Sequence, residues 1–505
     1  MTMHEDLSIV PPLSYDRIMR CFKTVFEYLS RGFWTHIILI SLAPVSGIHS
    51  NPELPSLGDA SSRIVSPELE KRIGKDFLKQ IRASMKTSKD PLLKYYTETQ
   101  IKRLVEYSNF QGQILDIVVV DSPSLNAFAA PGGVVGINLG LFIQAHDVHE
   151  FSSVIAHELA HLSQRHFARG IEERKANSLP TMASMIAGLL IGAAGGTDAA
   201  LATISLAQAA SQGNQLRYSR EREIEADRIG LVTMVNAGLD PNGQSRMYER
   251  MQRAYRFTRR PPEFLLTHPL SETRISDSKN NARAYQIDNV TASTAFQMMK
   301  IRSETKYEKN RAVGLNKYRK LAQRDPSNLA YQYGLALALA NNNFPGESLE
   351  VFEKIKVSLP NTIIMFAAYT DLLRQTGHHE KVQALLKERL SLSPENQPLS
   401  MILARSLTAT KQFKEAENIL IRQSKTRPLD VDVWYELAET SGLAGNISGV
   451  HIARAEYFLL HGAYSRSIQH LEYAKSLTRR NNPQLQAKLA QQIQDLKTIV
   501  RMAKG

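Results

Sequence analysis

Four prolines, Pro326, Pro360, Pro394 and Pro428, stand 34 residues apart each time, and no other feature restricts the fold of this 505-residue chain as strongly. A fixed period of this length marks a stack of helical hairpins, because each unit exposes an apolar face that only its neighbour can bury. Aligned on the prolines, a small residue recurs where paired helices cross: Ala336, Thr370, Ala404 and Ala438. Gly377 and Gly445 fall at the turn between the helices of a pair, and Trp434 opens its unit with an aromatic. The period predicts an array over 308–505, with degenerate later units and Tyr464–Met502 as its cap.

A 34-residue helix–turn–helix period is that of the tetratricopeptide unit, a protein-binding scaffold. Its concave surface is expected to take up a protein partner or client. The rest of the chain is long enough for a second core. Helical spacing runs through Ile73, Phe77 and Ile81, then Leu92, Tyr95, Ile101 and Leu104. Ile114–Val120 reads as a strand by its β-branched run. Asn126–Gly133 then makes a tight turn, and Val134–Asn138 returns as a second strand. The strand after Gly133, with Val134 and Val135, is expected at the edge of the sheet beside a cleft, where an extended substrate can add by backbone pairing.

The segment from 153 to 166 carries the chemistry: Ser-Val-Ile-Ala-His157-Glu158-Leu-Ala-His161-Leu-Ser-Gln-Arg-His166. On a helix, His157 and His161 share a face and can grip one metal ion, with Glu158 beside them to take a proton from a metal-bound water. Zinc with an open coordination position lowers that water's pKa to roughly 7 and polarises a peptide carbonyl. The flanking Val154, Ile155, Ala156, Leu159, Ala160 and Leu162 make this a buried helix, over about 148–169, in which two histidines and a glutamate need partners.

Two histidines leave zinc short of a ligand. A third in the metzincin manner would fall at 167, which is Phe167, with Gln164 at the required glycine, so that class is excluded. His166, by helical phase, points away from His161 and reads as a structural or surface histidine. The remaining route is a carboxylate from a second helix, and Glu221, Glu223, Glu225 and Asp227 are all available.

His-Glu-x-x-His followed by Glu-x-x-Ala-Asp resembles the HtpX and CAAX-prenyl-protease family of gluzincins. The turn Asn126–Gly133, the stretch Thr267-His268-Pro269 and the pair Arg274-Ile275 match the same family. The resemblance implies that His157, His161 and Glu223 are the zinc ligands and Glu158 the general base. It makes Asp227 the catalytic carboxylate one turn on, accepting a ligand histidine's free N–H and in the family also described as a proton donor. Glu225 is the competing third ligand, but it points away from the face that Glu223 and Asp227 share. His268 either donates to the oxyanion of the tetrahedral intermediate or occupies zinc's open position at rest.

The fold class follows: mainly α with a small β-sheet, a zincin (gluzincin) metalloprotease domain over 67–300 and then the α-solenoid. At the N-terminus, Arg31, the apolar run Phe33–Val45 and small residues Ser46 and Gly47 have the layout of a secretory signal over 1–47, with translation starting at Met19. A linker over 48–66 would follow. The single cysteine, Cys21, lies in the leader, so the mature protein needs no disulfide. The apolar stretches within Leu179–Gln212, broken by glycines and Asp198, are each too short to cross a membrane and are expected to cover the cleft as two packed helices.

A net charge of +13 favours anionic surfaces, including peripheral membrane contact. Its basic residues are dispersed and no nucleic-acid motif is present, which excludes nucleic acid as partner. Resemblance to the BepA-like family, with a signal in front and repeats behind, implies a periplasmic zinc endopeptidase, associated with the outer membrane. Its substrates would be unfolded or misassembled proteins, and the repeat domain would contact the outer-membrane assembly machinery. The rival reading is a chaperone or scaffold whose protease activity is latent or minor.

Overall fold

The computed structural model describes residues 65–173, 220–256, 261–285, 292–478 and 482–502. The expected leader with Cys21, the linker up to residue 64 and the apolar segment 179–212 lie outside these residues. The described residues pack as one unit.

Helices α1 (Pro67–Ser84) and α2 (Pro91–Glu106) both begin at capped prolines. Ser66 and Asp90 accept backbone N–H groups of the first turn, and proline loses nothing there because that N–H has no helical partner. Strands β1 (Asp116–Val120), β2 (Ala127–Ala130) and β3 (Val134–Asn138) follow. Pro131-Gly132-Gly133 links β2 to β3, with φ of 75° at Gly132 and 84° at Gly133, a left-handed conformation that only glycine adopts without strain.

The sheet order is β1-β3-β2, with β1 parallel and β2 antiparallel to β3. This corrects the expected edge strand. Val134 and Val135 of β3 pair with Asp116 and Ile117 on one side and with Ala130 and Ala129 on the other, so β3 is central and has no free edge. The outer strand beside the histidine helix is β2.

After β3 come α3 (Leu139–Gln144), α4 (Val148–Ser163) and α5 (His166–Glu173), then α6 (Arg220–Asn236), α7 (Asn242–Tyr255), α8 (Glu263–Thr267) and α9 (Glu272–Ala282). Asp147 caps α4 by accepting from the N–H groups of His149 and Glu150. Every residue of α4 from Val148 to His161 is buried. Tyr96 of α2, Phe142 of α3, Phe151 of α4 and Phe296 meet as one aromatic cluster, with the closest rings 4.5 Å apart. That cluster anchors the start of α4.

Helix α10 (Thr294–Tyr307) leads into α11 (Arg311–Arg324), and the hairpins follow as α12 (Leu329–Asn341) with α13 (Pro345–Lys356), α14 (Ile363–Gln375) with α15 (His379–Leu392), α16 (Gln397–Ala409) with α17 (Phe413–Thr426), and α18 (Val431–Leu443) with α19 (Ile447–Leu460). Helices α20 (Tyr464–Leu477) and α21 (Pro483–Met502) complete the array. Ala336, Thr370, Ala404 and Ala438 are all buried on the first helix of their units. The turns inside the units repeat as well. Asn343, Gly377, Lys411 and Gly445 all have positive φ, at 64°, 85°, 61° and 78°, one per 34 residues.

The repeats grip the rest of the chain. Helix α2 lies against α14 and α16, so part of the face formed by the first helices is already occupied from within the molecule. This restricts the expected partner surface. Arg302 of α10 links Asp90 at the cap of α2 to Asp371 of α14, each at 2.5 Å, and also reaches the Tyr333 hydroxyl. Lys94 of α2 pairs with Asp430 at 2.7 Å, and Arg427 pairs with Glu98.

Candidate active site

Helix α4 delivers His157, Glu158 and His161 to the interior, and α6 crosses it closely enough to bring Glu223 and Asp227 alongside. The crossing depends on Gly230, since a Cβ there would lie 3.0 Å from the His157 nitrogen and 3.1 Å from the Ala156 carbonyl carbon. His268 arrives from the turn after α8, where its N–H is bonded to the Phe264 carbonyl.

One donor atom from each of His157, His161, Glu223 and His268 lies within 4.8 Å of every other. His157 Nε2 is 3.0 Å from His161 Nε2 and 3.5 Å from Glu223 Oε2, and His161 Nε2 is 3.5 Å from Glu223 Oε1. His268 Nδ1 is 3.3 Å from His157 Nε2 and 3.0 Å from Glu223 Oε1. Donor atoms arranged tetrahedrally around zinc at ligand distances of about 2.1 Å are separated by about 3.4 Å. The donor set therefore fits one zinc ion in both chemistry and spacing.

Glu158 faces the cluster from the other side, with Oε1 at 3.3 Å from His268 Nε2. Burial raises its pKa, and the neighbouring histidines together with the backbone N–H of Ala129 in β2 only partly offset this. Burial would lower His157, but bonds to Asp227 and Glu223 override it and hold the imidazole up at about 9. Burial also pushes His161 well below its ordinary value, with repulsion from His157 adding to it. Glu223 is held well below the carboxylate range, because His268 and His157 outweigh its burial.

Asp227 Oδ1 lies 3.0 Å from His157 Nδ1. Two further groups fix that carboxylate: Arg274 through two bonds of 2.7 and 2.8 Å, and the Tyr248 hydroxyl at 2.5 Å. Arg274 also reaches Glu223 Oε2 at 2.8 Å. These bonds outweigh burial and keep Asp227 below its ordinary pKa.

Every site residue expected on the chemistry of the metal is thus brought together, apart from the strand positions corrected above. Glu225, the competing acid, faces away from the cluster toward His166 and Arg169. His166 is not a surface histidine. It is fully buried, and its Nδ1 lies 2.8 Å from His161 Nδ1. Helical phase holds only along one continuous helix over about 148–169, but the helix ends at Ser163 and Arg165 turns left-handed at φ 48°. Arg274 and Tyr248 were also missed as site residues. Arg274 was visible in the sequence only as part of the Arg274-Ile275 pair, and Tyr248 carried no signal.

The peptidase family M48 profile matches residues 91–282, and a tetratricopeptide repeat profile matches 373–439. A Vibrio cholerae protein described as a beta-barrel assembly-enhancing protease is 30% identical over 428 residues, covering 84% of this chain and 88% of that one. The chain belongs to peptidase family M48. The beta-barrel assembly-enhancing protease of Escherichia coli K12 is 29% identical over 84% of this chain and 87% of its own. The mitochondrial metalloendopeptidase OMA1 of Schizosaccharomyces pombe is 31% identical over 42% of this chain and 60% of its own. This M48 chain is a zinc metalloprotease carrying tetratricopeptide repeats.

Proposed function

We propose that His157, His161 and Glu223 hold the zinc ion and that His268 fills the fourth position at rest, so that the protease is latent. The observation that carries this reading is the convergence of four buried donor atoms where a catalytic site keeps one position for water or substrate. Bound there, zinc would acidify a water and polarise the scissile carbonyl. Glu158, less acidic than an exposed glutamate, takes the proton from that water and passes it to the leaving amine. Asp227 accepts the His157 Nδ1 proton and so keeps Nε2 free to ligate. The outer strand β2, in place of β3, offers the backbone for an extended substrate.

A site that needs displacement of its own histidine and pairs with extended backbone suits unfolded or misassembled chains. The likeness to beta-barrel assembly-enhancing proteases over most of the chain supports clients among outer-membrane β-barrel proteins. The secretory layout of 1–47 supports a periplasmic location. No helix among the described residues is long and apolar enough to cross a membrane. The repeat helices supply the surface for the assembly machinery, on the parts that α2 leaves uncovered.

The test is digestion of a denatured outer-membrane β-barrel protein by the purified full chain, with and without chelator, beside Glu158→Gln. Chelator-sensitive cleavage that Glu158→Gln loses at least 100-fold, with zinc retained, is expected. Cleavage by Glu158→Gln at the wild-type rate would overturn the assignment. The closed donor set also favours the rival scaffold reading, which predicts that Glu158→Gln fully restores outer-membrane assembly in cells lacking the protein.

A further inference from the structure

Between α4 and α5 the chain does something that costs free energy. Arg165 adopts φ 48°, a left-handed conformation unfavourable by roughly 1 kcal/mol or more for a residue with a side chain. Tertiary contacts hold it there: its guanidinium donates to the Val65 carbonyl at 2.8 Å and pairs with Glu70 at 3.4 Å. The kink returns His166 to the flank of His161, whereas a continuous helix would carry it away.

The two imidazoles then meet through their Nδ1 atoms at 2.8 Å. On the far side, His166 Nε2 lies 3.1 Å from Glu225 Oε2, and Glu225 is itself held by Arg169 at 3.1 and 3.3 Å. This geometry has one consistent set of tautomers. If His161 ligates through Nε2, that nitrogen is bare and the ring proton sits on Nδ1, so His166 Nδ1 must accept. His166 then carries its own proton on Nε2 and donates it to the Glu225 carboxylate. Every proton in the chain points away from the metal position.

We propose that His166 and Glu225 form a positioning relay that fixes the tautomer and ring orientation of His161. The two ligand histidines would thus be set differently. His157 Nδ1 lies directly against the carboxylate of Asp227 at 3.0 Å, whereas His161 reaches its carboxylate through a second imidazole. His166 is fully buried, so the link runs between side chains away from solvent. The proposal rests on the reading of His161 as a zinc ligand and explains why a helix with a spare glutamate at 225 keeps it away from the cluster.

The experiment measures zinc affinity of the full chain by competition with a chelating dye, together with the visible absorption of the Co2+-loaded protein. His166→Phe keeps the ring but cannot accept, and Glu225→Leu removes the terminal acceptor. Each should weaken zinc binding 10- to 100-fold, the usual effect of removing a group that orients a ligand, and shift the Co2+ bands. His166→Asn places an amide oxygen near the lost Nδ1 and should recover affinity to within a few-fold of wild type. Wild-type affinity in both His166→Phe and Glu225→Leu, or no recovery in His166→Asn relative to His166→Phe, overturns the relay. If His166→Phe does not fold, Glu225→Leu and His166→Asn carry the same comparison. His161→Ala separates the two levels. Should it bind zinc like wild type, the ligand reading fails. Should it lose zinc while His166→Phe and Glu225→Leu keep it, the relay alone fails.

Discussion

Arg274 spans two carboxylates one helical turn apart, 2.8 Å from Glu223 and 2.7 Å from Asp227. A planar guanidinium presents a rigid fork that hydrogen-bonds both carboxylates at once, whereas the ammonium of lysine is a compact point charge on a flexible stem and lacks that fork. Arg274→Lys is therefore expected to lower kcat/KM for peptide hydrolysis roughly 10- to 100-fold, the range for loss of a group that orients a metal ligand. Arg274→Ala leaves two buried acids without their counter-charge and should cost about 3–5 kcal/mol in unfolding experiments. Full activity in Arg274→Lys would show that the bridge does not matter.

Gly230 sets how closely α6 approaches α4. Its absent Cβ would press on backbone atoms of Ala156 and His157, which cannot swing aside as a side-chain tip can. Gly230→Val should push the helices apart, costing about 1–3 kcal/mol of stability from overpacking. It should also lower zinc affinity, because Glu223 and Asp227 retreat from the histidines together. A variant with normal zinc affinity and a lowered melting temperature would show that the site tolerates a wider crossing.

What the sequence made legible was local. Helical phase alone put Glu223 and Asp227 on one face and Glu225 on another, and the structure places them so because α6 is a regular helix there. The proline period exposed the hairpin array, since each unit repeats the same packing problem. The order of the strands was not legible, because β1 and β3 carry the same β-branched pattern whichever is central. His166 was misread for a different reason. Its position depends on a kink at Arg165, which is held by Val65 and Glu70 about a hundred residues earlier, and no periodicity reports such contacts. Arg274 and Tyr248 reach the site from other helices in the same non-local way.

Asp371 ties the repeats to the first half of the chain through Arg302, with Arg374 on its other oxygen. Burial would raise its pKa, but the two guanidinium groups hold it far below the ordinary range. A carboxyl depressed in the folded state contributes stability that is complete above its unfolded pKa of about 3.9 and is lost as pH falls below it. Asp371→Asn should thus be about 3 kcal/mol less stable than wild type at pH 7, with the gap narrowing at pH 3. Urea unfolding at the two pH values measures it. An equal gap at both would mean that the ion pair does not supply the stability.

His268 offers the clearest division between two roles. An oxyanion donor should stand beside the metal position and leave the donor set open, but His268 Nδ1 sits at hydrogen-bond distance from Glu223 and 3.3 Å from His157 Nε2, within the set itself. Its other nitrogen faces Glu158, the proposed base, at 3.3 Å. One side chain therefore blocks both the place of the water and the group that would activate it. Removing it should open the site, so His268→Ala is expected to cleave a denatured substrate several-fold faster than wild type. Zinc should bind somewhat more weakly in this variant, since a donor is gone. A fall in kcat with KM unchanged would reverse the assignment and make His268 a stabiliser of the transition state.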